Sequence, residues 1–471
     1  MADARWEHDA DERAGNRDRI MALHSVAAPV NRPVEVWSNL RSRPLFGAAT
    51  ALAARLIQMG STLALVPILL SHLGSEQFAV WLAASSLMGA FAFIDLGIGS
   101  NLVNHIAVSK GVSASARTYV SNAFVVLSLF SLASATVVCL TFFSSGTENG
   151  FIHFRGAGTW SAFFVTCLTL CIVAPLSLIW KIRLGLGETA IQSLWDAFAS
   201  LGIFCAIIVS LWFNAGIVAV VASFCAVPLL VHCLNGAQLF RRYPDLKPSH
   251  SLASAGKLAA VLKSGSPFLL VNAISAISFS FDSVLALHLL DAEQAARFGV
   301  AQKMAIAVQT LLSIGLTPFW PQFRAATAEQ NARSAGGILI SAFALALLIA
   351  GSVSMMIVLF GDDVTRLWTR GAISLPNDLI VGVAIWIPVF AVNAVLTSLM
   401  SVPSLLPVQV KLASLSGVCC FLAKVILAGA WGGSGLFWGN SFGLFAFLIL
   451  PAFFVIARDL LRMKQAKGRS R

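Results

Sequence analysis

Charge is what this chain has least of. Only 11% of its 471 residues are Asp, Glu, Lys or Arg, against about 25% in soluble domains. That deficit excludes a soluble enzyme, a nucleic-acid-binding domain and a disordered protein. Loop cysteines are missing as well: all eight (139, 167, 171, 205, 225, 233, 419 and 420) fall inside apolar stretches. None sits in a polar loop that an oxidising compartment would staple. Cys167 and Cys171 share a helical face, but with no neighbouring His or carboxylate they read as packing residues rather than metal ligands. No P-loop motif (G-x-x-x-x-G-K followed by S or T) occurs, so nothing in the chain points to ATP hydrolysis. No cofactor is expected. What fills the space left by charge is apolar: 58% of residues are hydrophobic and the mean hydropathy is +0.82. The chain reads as an all-α, polytopic integral membrane protein.

A bilayer core of about 30 Å takes about 20 helical residues. Apolar runs of that length fall at 45–70, 78–104, 118–143, 159–180, 190–213 and 215–240, then at 266–290, 295–319, 336–360, 379–401, 408–430 and 435–457. The runs are continuous and too long for barrel strands, which alternate. They predict twelve transmembrane helices. Residues 1–44 crowd charges of both signs, carry no apolar run of signal-peptide type, and read as a disordered cytoplasmic tail. Twenty Lys and Arg residues fall on one side of the predicted spans, from Arg32 to Arg471, and four (Arg155, Arg297, Arg366 and Arg370) on the other. The positive-inside rule then puts both termini in the cytoplasm.

The longest internal polar connection, a basic linker at 241–263, divides the spans into six-helix lobes at 45–240 and 264–457; a basic tail, 458–471, follows. Both lobes start from the same side, so any repeat is parallel, with a pseudo-two-fold axis along the membrane normal. A short echo supports the repeat. The first span ends in Ser71-His72-Leu73 and turns through Glu76-Gln77, and the seventh ends in Leu287-His288-Leu289 and turns through Glu293-Gln294.

Charges at membrane depth cost at least about 2.5–3.5 kcal/mol each on insertion scales, so they face a cavity or a partner. Arg55 stands in the first span, Asp95 in the second, Asp282 in the seventh, Lys303 in the eighth and Lys424 in the eleventh. One reading makes Arg55 and Asp95 a structural pair between neighbouring helices. The functional reading has Arg55, Lys303 and Lys424 line a water-filled cavity that attracts an anionic headgroup, with Asp95 and Asp282 balancing that charge or coupling ions. Arginine suits a pyrophosphate because its planar fork makes two charge-assisted hydrogen bonds. Lys424 also has a stem long enough to reach the outer interface. His288 titrates near neutrality when unperturbed and is a candidate proton site, although its position equally suits the end of a span. Gly97, Gly99, Pro318 and Pro388 interrupt helical stretches and are candidate gating positions.

Several of these residues lie in a familiar pattern. Pro67, then Leu73-Gly74-x-Glu76-x-Phe78-x-x-Trp81, then Asp95-Leu96-Gly97-Ile98-Gly99, resembles the opening of the Wzx-type polysaccharide flippases of the MOP superfamily. These are the O-antigen and exopolysaccharide lipid-carrier transporters. Asp282, Phe298-Gly299-Val300-Ala301 and Pro318-x-Trp320-Pro321 agree with it in the second half. The resemblance covers about residues 45–330. Ala79, where many relatives carry glycine, and the long N-terminal tail depart from it. It implies two lobes working by alternating access in the bacterial cytoplasmic (inner) membrane. It also implies an undecaprenyl-pyrophosphate-linked oligosaccharide as cargo, with membrane lipids and other polysaccharide-assembly membrane proteins as partners and no nucleic acid. Two rival readings stay open. A multidrug or small-molecule antiporter of the same superfamily would favour an acidic, aromatic cavity. A membrane saccharide polymerase or ligase would carry its chemistry in an outer loop, and the longest outer loops, about 144–158 and 361–378, are short for that.

Overall fold

Hydrocarbon offers no water to backbone N–H and C=O groups, so a chain that crosses it must satisfy them internally. This one does so with helices throughout. The computed structural model describes residues 44–89, 97–108, 112–144, 158–254, 256–262, 274, 278, 281–316, 319–329, 331–400 and 405–469, and among them no strand occurs. In chain order the helices are α1 (Pro44–Gly89), α2 (Ile98–Val108), α3 (Ala114–Ser144), α4 (Thr159–Gly185), α5 (Thr189–Trp212) and α6 (Ile217–Arg242). After two short 3₁₀ turns come α7 (Asp282–Leu289), α8 (Ala292–Leu316), α9 (Phe319–Ala328), α10 (Ala332–Trp368), α11 (Asn377–Met400), α12 (Leu406–Leu444) and, beyond a π-turn, α13 (Leu450–Arg469).

Nine helical stretches among the described residues are long and apolar enough to cross a membrane. Two of these contain a reversal. In α1 the non-helical residue is Gly74, at φ 72°. Gln58 and Gly89 line one cavity, although a straight helix would hold them about 46 Å apart. In α12 the chain reverses at Trp431 and Gly432, which brings Gly439 beside Lys424 and Gly443 beside Cys420. Each reversal joins two spans, so the nine stretches account for eleven. The remaining predicted span, 266–290, is described only at Ile274, Ser278 and from Phe281 onward, where α7 occupies its end.

The α12 hairpin is tight because one arm presents a face without side chains. A Cβ on Gly435 would overlap the Leu427 carbonyl, one on Gly439 would lie 2.6 Å from the backbone nitrogen of Lys424, and one on Gly443 2.5 Å from the Cys420 sulfur. Spacing of four residues puts these glycines on one helix face, the small-residue device by which membrane helices bring backbones close.

Packing divides the helices into two sets. α2 to α6 contact one another, as do α7 to α13. Residues 50–471 nevertheless form one compact unit, and α1 is the element that joins the sets. Its Leu82 fills the place a Cβ on Gly299 of α8 would take. Its Pro67 has no N–H, which leaves the carbonyl four residues back, Leu63, without a helical donor. The indole of Trp368, at the end of α10, donates to that carbonyl at 3.0 Å.

Candidate functional site

The central feature is a polar cavity of about 290 Å³ enclosed by α1, α4, α5, α6 and α8. The first arm of α1 supplies Gln58, Ser61 and Thr62, and the second arm Trp81 and Ser85. α5 and α6 add Ser200 and His232, and α8 adds Lys303. The Lys303 ammonium lies 5.4 Å from the centre of the Trp81 ring and donates to Ser85 Oγ at 3.4 Å. A cation over an indole face is attracted by the ring quadrupole, by about 2 kcal/mol when water is excluded. Trp81 is itself fixed. It is 1% exposed, stacks on Phe78 at 5.7 Å and meets the edge of Phe224 at 6.3 Å. Its indole N–H is buried with no hydrogen-bond acceptor among the described residues. No Asp or Glu lines this cavity among the described residues, so its fixed charge is positive.

A second cavity, also about 290 Å³, adjoins the first at Gln58, which lines both. Here Arg55 faces Gln192, Ser193 and Asp196 of α5. Arg55 is exposed, and the carboxylate with which it shares a cavity is Asp196, whose Oδ1 accepts from Gln192 at 2.8 Å. The alternative partner considered from sequence, Asp95, lies outside the described residues, as does the candidate gate Pro318.

Behind this cavity lies a buried ion pair that the sequence pattern hides. Arg183, counted above among the charges of the loops, is 1% exposed. It donates to Glu188 Oε2 at 2.6 Å, Asn235 Oδ1 at 2.5 Å and Gln238 Oε1 at 2.8 Å. Gln192 accepts from Asn235 at 3.1 Å, and the Tyr243 hydroxyl donates to Glu188 at 2.9 Å. Burial, then the hydrogen bond and negative charge of Glu188, push the Tyr243 phenol up from its ordinary range. The signal available in the sequence was the set Gln192, Asn235 and Gln238, three polar amides in otherwise apolar helices.

The second half holds its own buried pair. Lys424, 0% exposed, donates to Asp282 Oδ1 and to the Ser278 carbonyl. Asn440 donates to Asp282 Oδ2 at 2.9 Å. Lys424 therefore neither reaches the outer interface nor faces either cavity described above: it is corrected from a cargo ligand to the partner of Asp282. The reason is the glycine stripe, which presses the two arms of α12 together around it. Asp282 is thereby assigned a partner that sequence reading did not give it.

Comparison with known proteins agrees with this architecture. The chain matches no family model. It is 22% identical over 427 residues, 88% of the chain and 96% of the relative, to a Salmonella typhimurium protein named "Putative O-antigen transporter". It is 30% identical over 142 residues, about a third of each chain, to the Salmonella typhi protein of the same name. Among solved structures, an inward-facing multidrug resistance MATE family transporter of the MOP superfamily superposes at TM-score 0.65, with 16% identity, over 90% of this chain and all of the other. A MOP superfamily transporter from Pyrococcus furiosus, described as having a binding pocket of reversed polarity, gives 0.63 at 15% identity over 90% of this chain and 96% of its own. The fold is the MOP-superfamily fold. The expected all-α membrane architecture of twelve helices in two six-helix lobes with parallel repeats holds, and the proteins it resembles are named as transporters rather than enzymes.

Within the MOP fold the other candidates take modest places. His288 is exposed in the last turn of α7, as expected of a residue at the end of a span. Gly97, at φ 74°, leads into α2, and Gly99 is buried inside it. α11 runs through Pro388 without a break. The proline with a visible structural consequence is Pro67.

Proposed function

We propose that this protein flips an oligosaccharide linked to undecaprenyl pyrophosphate from the cytoplasmic to the periplasmic leaflet of the bacterial inner membrane. Both termini are cytoplasmic in this reading, and residues 45–240 and 264–457 are the lobes that rock about the central cavity. The observation that carries the reading is the cavity's charge: one ammonium, several hydroxyl and amide groups, and no carboxylate among its described lining residues. A sugar pyrophosphate loses water on leaving the surface and needs polar groups in its place. Lys303 meets the phosphates, Ser61, Thr62, Ser85 and Gln58 meet hydroxyls, and Arg55 meets the headgroup in the adjoining cavity. Closure at Leu82–Gly299 and Trp368–Leu63 corresponds to the state that is open towards the cytoplasm, and separation of these contacts releases cargo on the other side. The names of the Salmonella relatives support the same cargo class, with other polysaccharide-assembly membrane proteins as partners.

The test is translocation of a fluorescent lipid-linked oligosaccharide in proteoliposomes, normalised to protein. Lys303→Ala is expected to slow it about 10–100-fold, the equivalent of one charge-assisted hydrogen bond, with Lys303→Arg retaining part. Arg55→Ala is expected to act in the same direction, and Arg55→Lys to restore only part because lysine lacks the fork. Normal translocation by Lys303→Ala would refute the reading. Export of lipophilic cations by the wild type in place of the lipid would return the chain to the multidrug class.

A further inference from the structure

A chamber larger than the polar one has a different character. A cavity of about 560 Å³ lies on the other side of the seam between α1 and α8, walled also by α10. Its size falls within the range of about 300–1,000 Å³ typical of small-molecule sites. Its lining is apolar throughout, including Leu63, Pro67, Met304, Val308, Phe360 and Trp368. The one polar side-chain group among its lining residues, the Trp368 indole N–H, is already given to the Leu63 carbonyl. Met356, Phe360 and Val364, which line it on α10, are 60%, 51% and 48% exposed, so the chamber is a groove that opens outward on an apolar surface.

What distinguishes this groove from ordinary lipid-facing surface is its relation to the polar cavity. On α1, Thr62 and Leu65 line the polar cavity while Leu63, Ala64 and Pro67 line the groove. On α8, Lys303 belongs to the cavity and the next residue, Met304, to the groove. Two helices one side chain thick thus separate a cationic chamber from an apolar slot. An amphiphile with an anionic headgroup and a long hydrocarbon chain matches both at once, charge at Lys303 and chain in the slot, once the Leu82–Gly299 contact between α1 and α8 parts. A slot without polar groups gains from every methylene it takes, about 0.8 kcal/mol each on transfer from water, although chain already in lipid gains only the better packing.

We propose that this groove binds the isoprenoid chain of the cargo, holding it beside the headgroup cavity instead of leaving it free in the bilayer. The inference rests on the cargo proposed above, and its test separates the two. The chain probe is a polyprenyl monophosphate carrying a diazirine in its chain, added to the full-length protein in nanodiscs and mapped by mass spectrometry. The headgroup probe is inorganic pyrophosphate, measured by calorimetry. In the wild type, photolabel is expected within residues 63–67, 304–308 or 353–368. Ala64→Phe, at an exposed position that tolerates bulk, and Ala307→Phe are each expected to reduce groove labelling several-fold while leaving pyrophosphate affinity within about two-fold, because the phenyl ring takes the space into which the chain would pack. Lys303→Gln is expected to weaken pyrophosphate instead. Label confined to other helices, or label in the groove that phosphatidylglycerol competes away as well as unlabelled polyprenyl phosphate does, would overturn the proposal. Groove labelling with no pyrophosphate binding by the wild type would refute the cargo reading and leave the groove as an isoprenoid site.

Discussion

Lys424 and Asp282 are both sealed from solvent, and each holds the other's charge. Lys424→Met leaves the Asp282 carboxylate with Asn440 as its side-chain donor, and Asp282→Asn leaves an ammonium facing an amide. Breaking a buried pair by removing one partner costs about 3–5 kcal/mol, because the remaining charge stays desolvated. At about 2 °C per kcal/mol for a large domain, either single variant should melt about 6–10 °C below the wild type in detergent. The double variant should recover most of this. The amide introduced at position 282 still accepts from Asn440, its nitrogen can donate to the Asn440 oxygen that is otherwise buried without a donor, and no charge remains. A thermodynamic cycle from purified proteins isolates the interaction, with translocation per molecule measured on the double variant. Single variants as stable as the wild type, or a double variant as unstable as the sum of the singles, would refute the account. Full loss of translocation by a stable double variant would assign the pair to ion coupling instead of charge balance.

Arg183→Lys keeps the charge but cannot reach Glu188, Asn235 and Gln238 together, so a loss of about 1–3 kcal/mol in thermal stability is expected for each acceptor left unpaired. Trp368→Phe removes the donor to the Leu63 carbonyl and should cost about 1–3 kcal/mol. In a Pro67→Ala background the same change should cost less, because alanine at that position supplies the missing N–H, and equal costs in both backgrounds would refute that pairing. Gly439→Ala forces a methyl group to 2.6 Å from the backbone nitrogen of Lys424, so the arms of α12 must part at a cost of about 1–3 kcal/mol in melting experiments. Deleting residues 2–30, a charged segment with little apolar surface, is expected to leave insertion and translocation unchanged at equal protein level.

The fold was legible because hydrocarbon imposes one rule on every span: about twenty apolar residues. That rule located the helices. It also set Lys303 apart as a charge that needed a reason. Pairings between distant spans were not legible. Lys424 and Asp282 are 142 residues apart, and spacing along one helix says nothing about which face meets which neighbour. The decisive clue was present but of another kind: Gly435, Gly439 and Gly443, spaced by four, mark the face that closes on Lys424. Arg183 was read as a loop charge because it stands near a helix end, where exposed basic residues are common. The groove escaped notice because its residues are indistinguishable by type from those that simply meet lipid.

The distance along the chain between Asp282 and Lys424 also sets a clock for biosynthesis. At about 5–20 residues per second, the 142 residues between them take about 7–28 s to make. Throughout that interval the seventh span is in place without the ammonium that will neutralise its carboxylate. The final hairpin, with Lys424 on one arm and Asn440 on the other, delivers both partners together. The second half is therefore locked last, by the same two spans whose glycines let them enter as a closed pair.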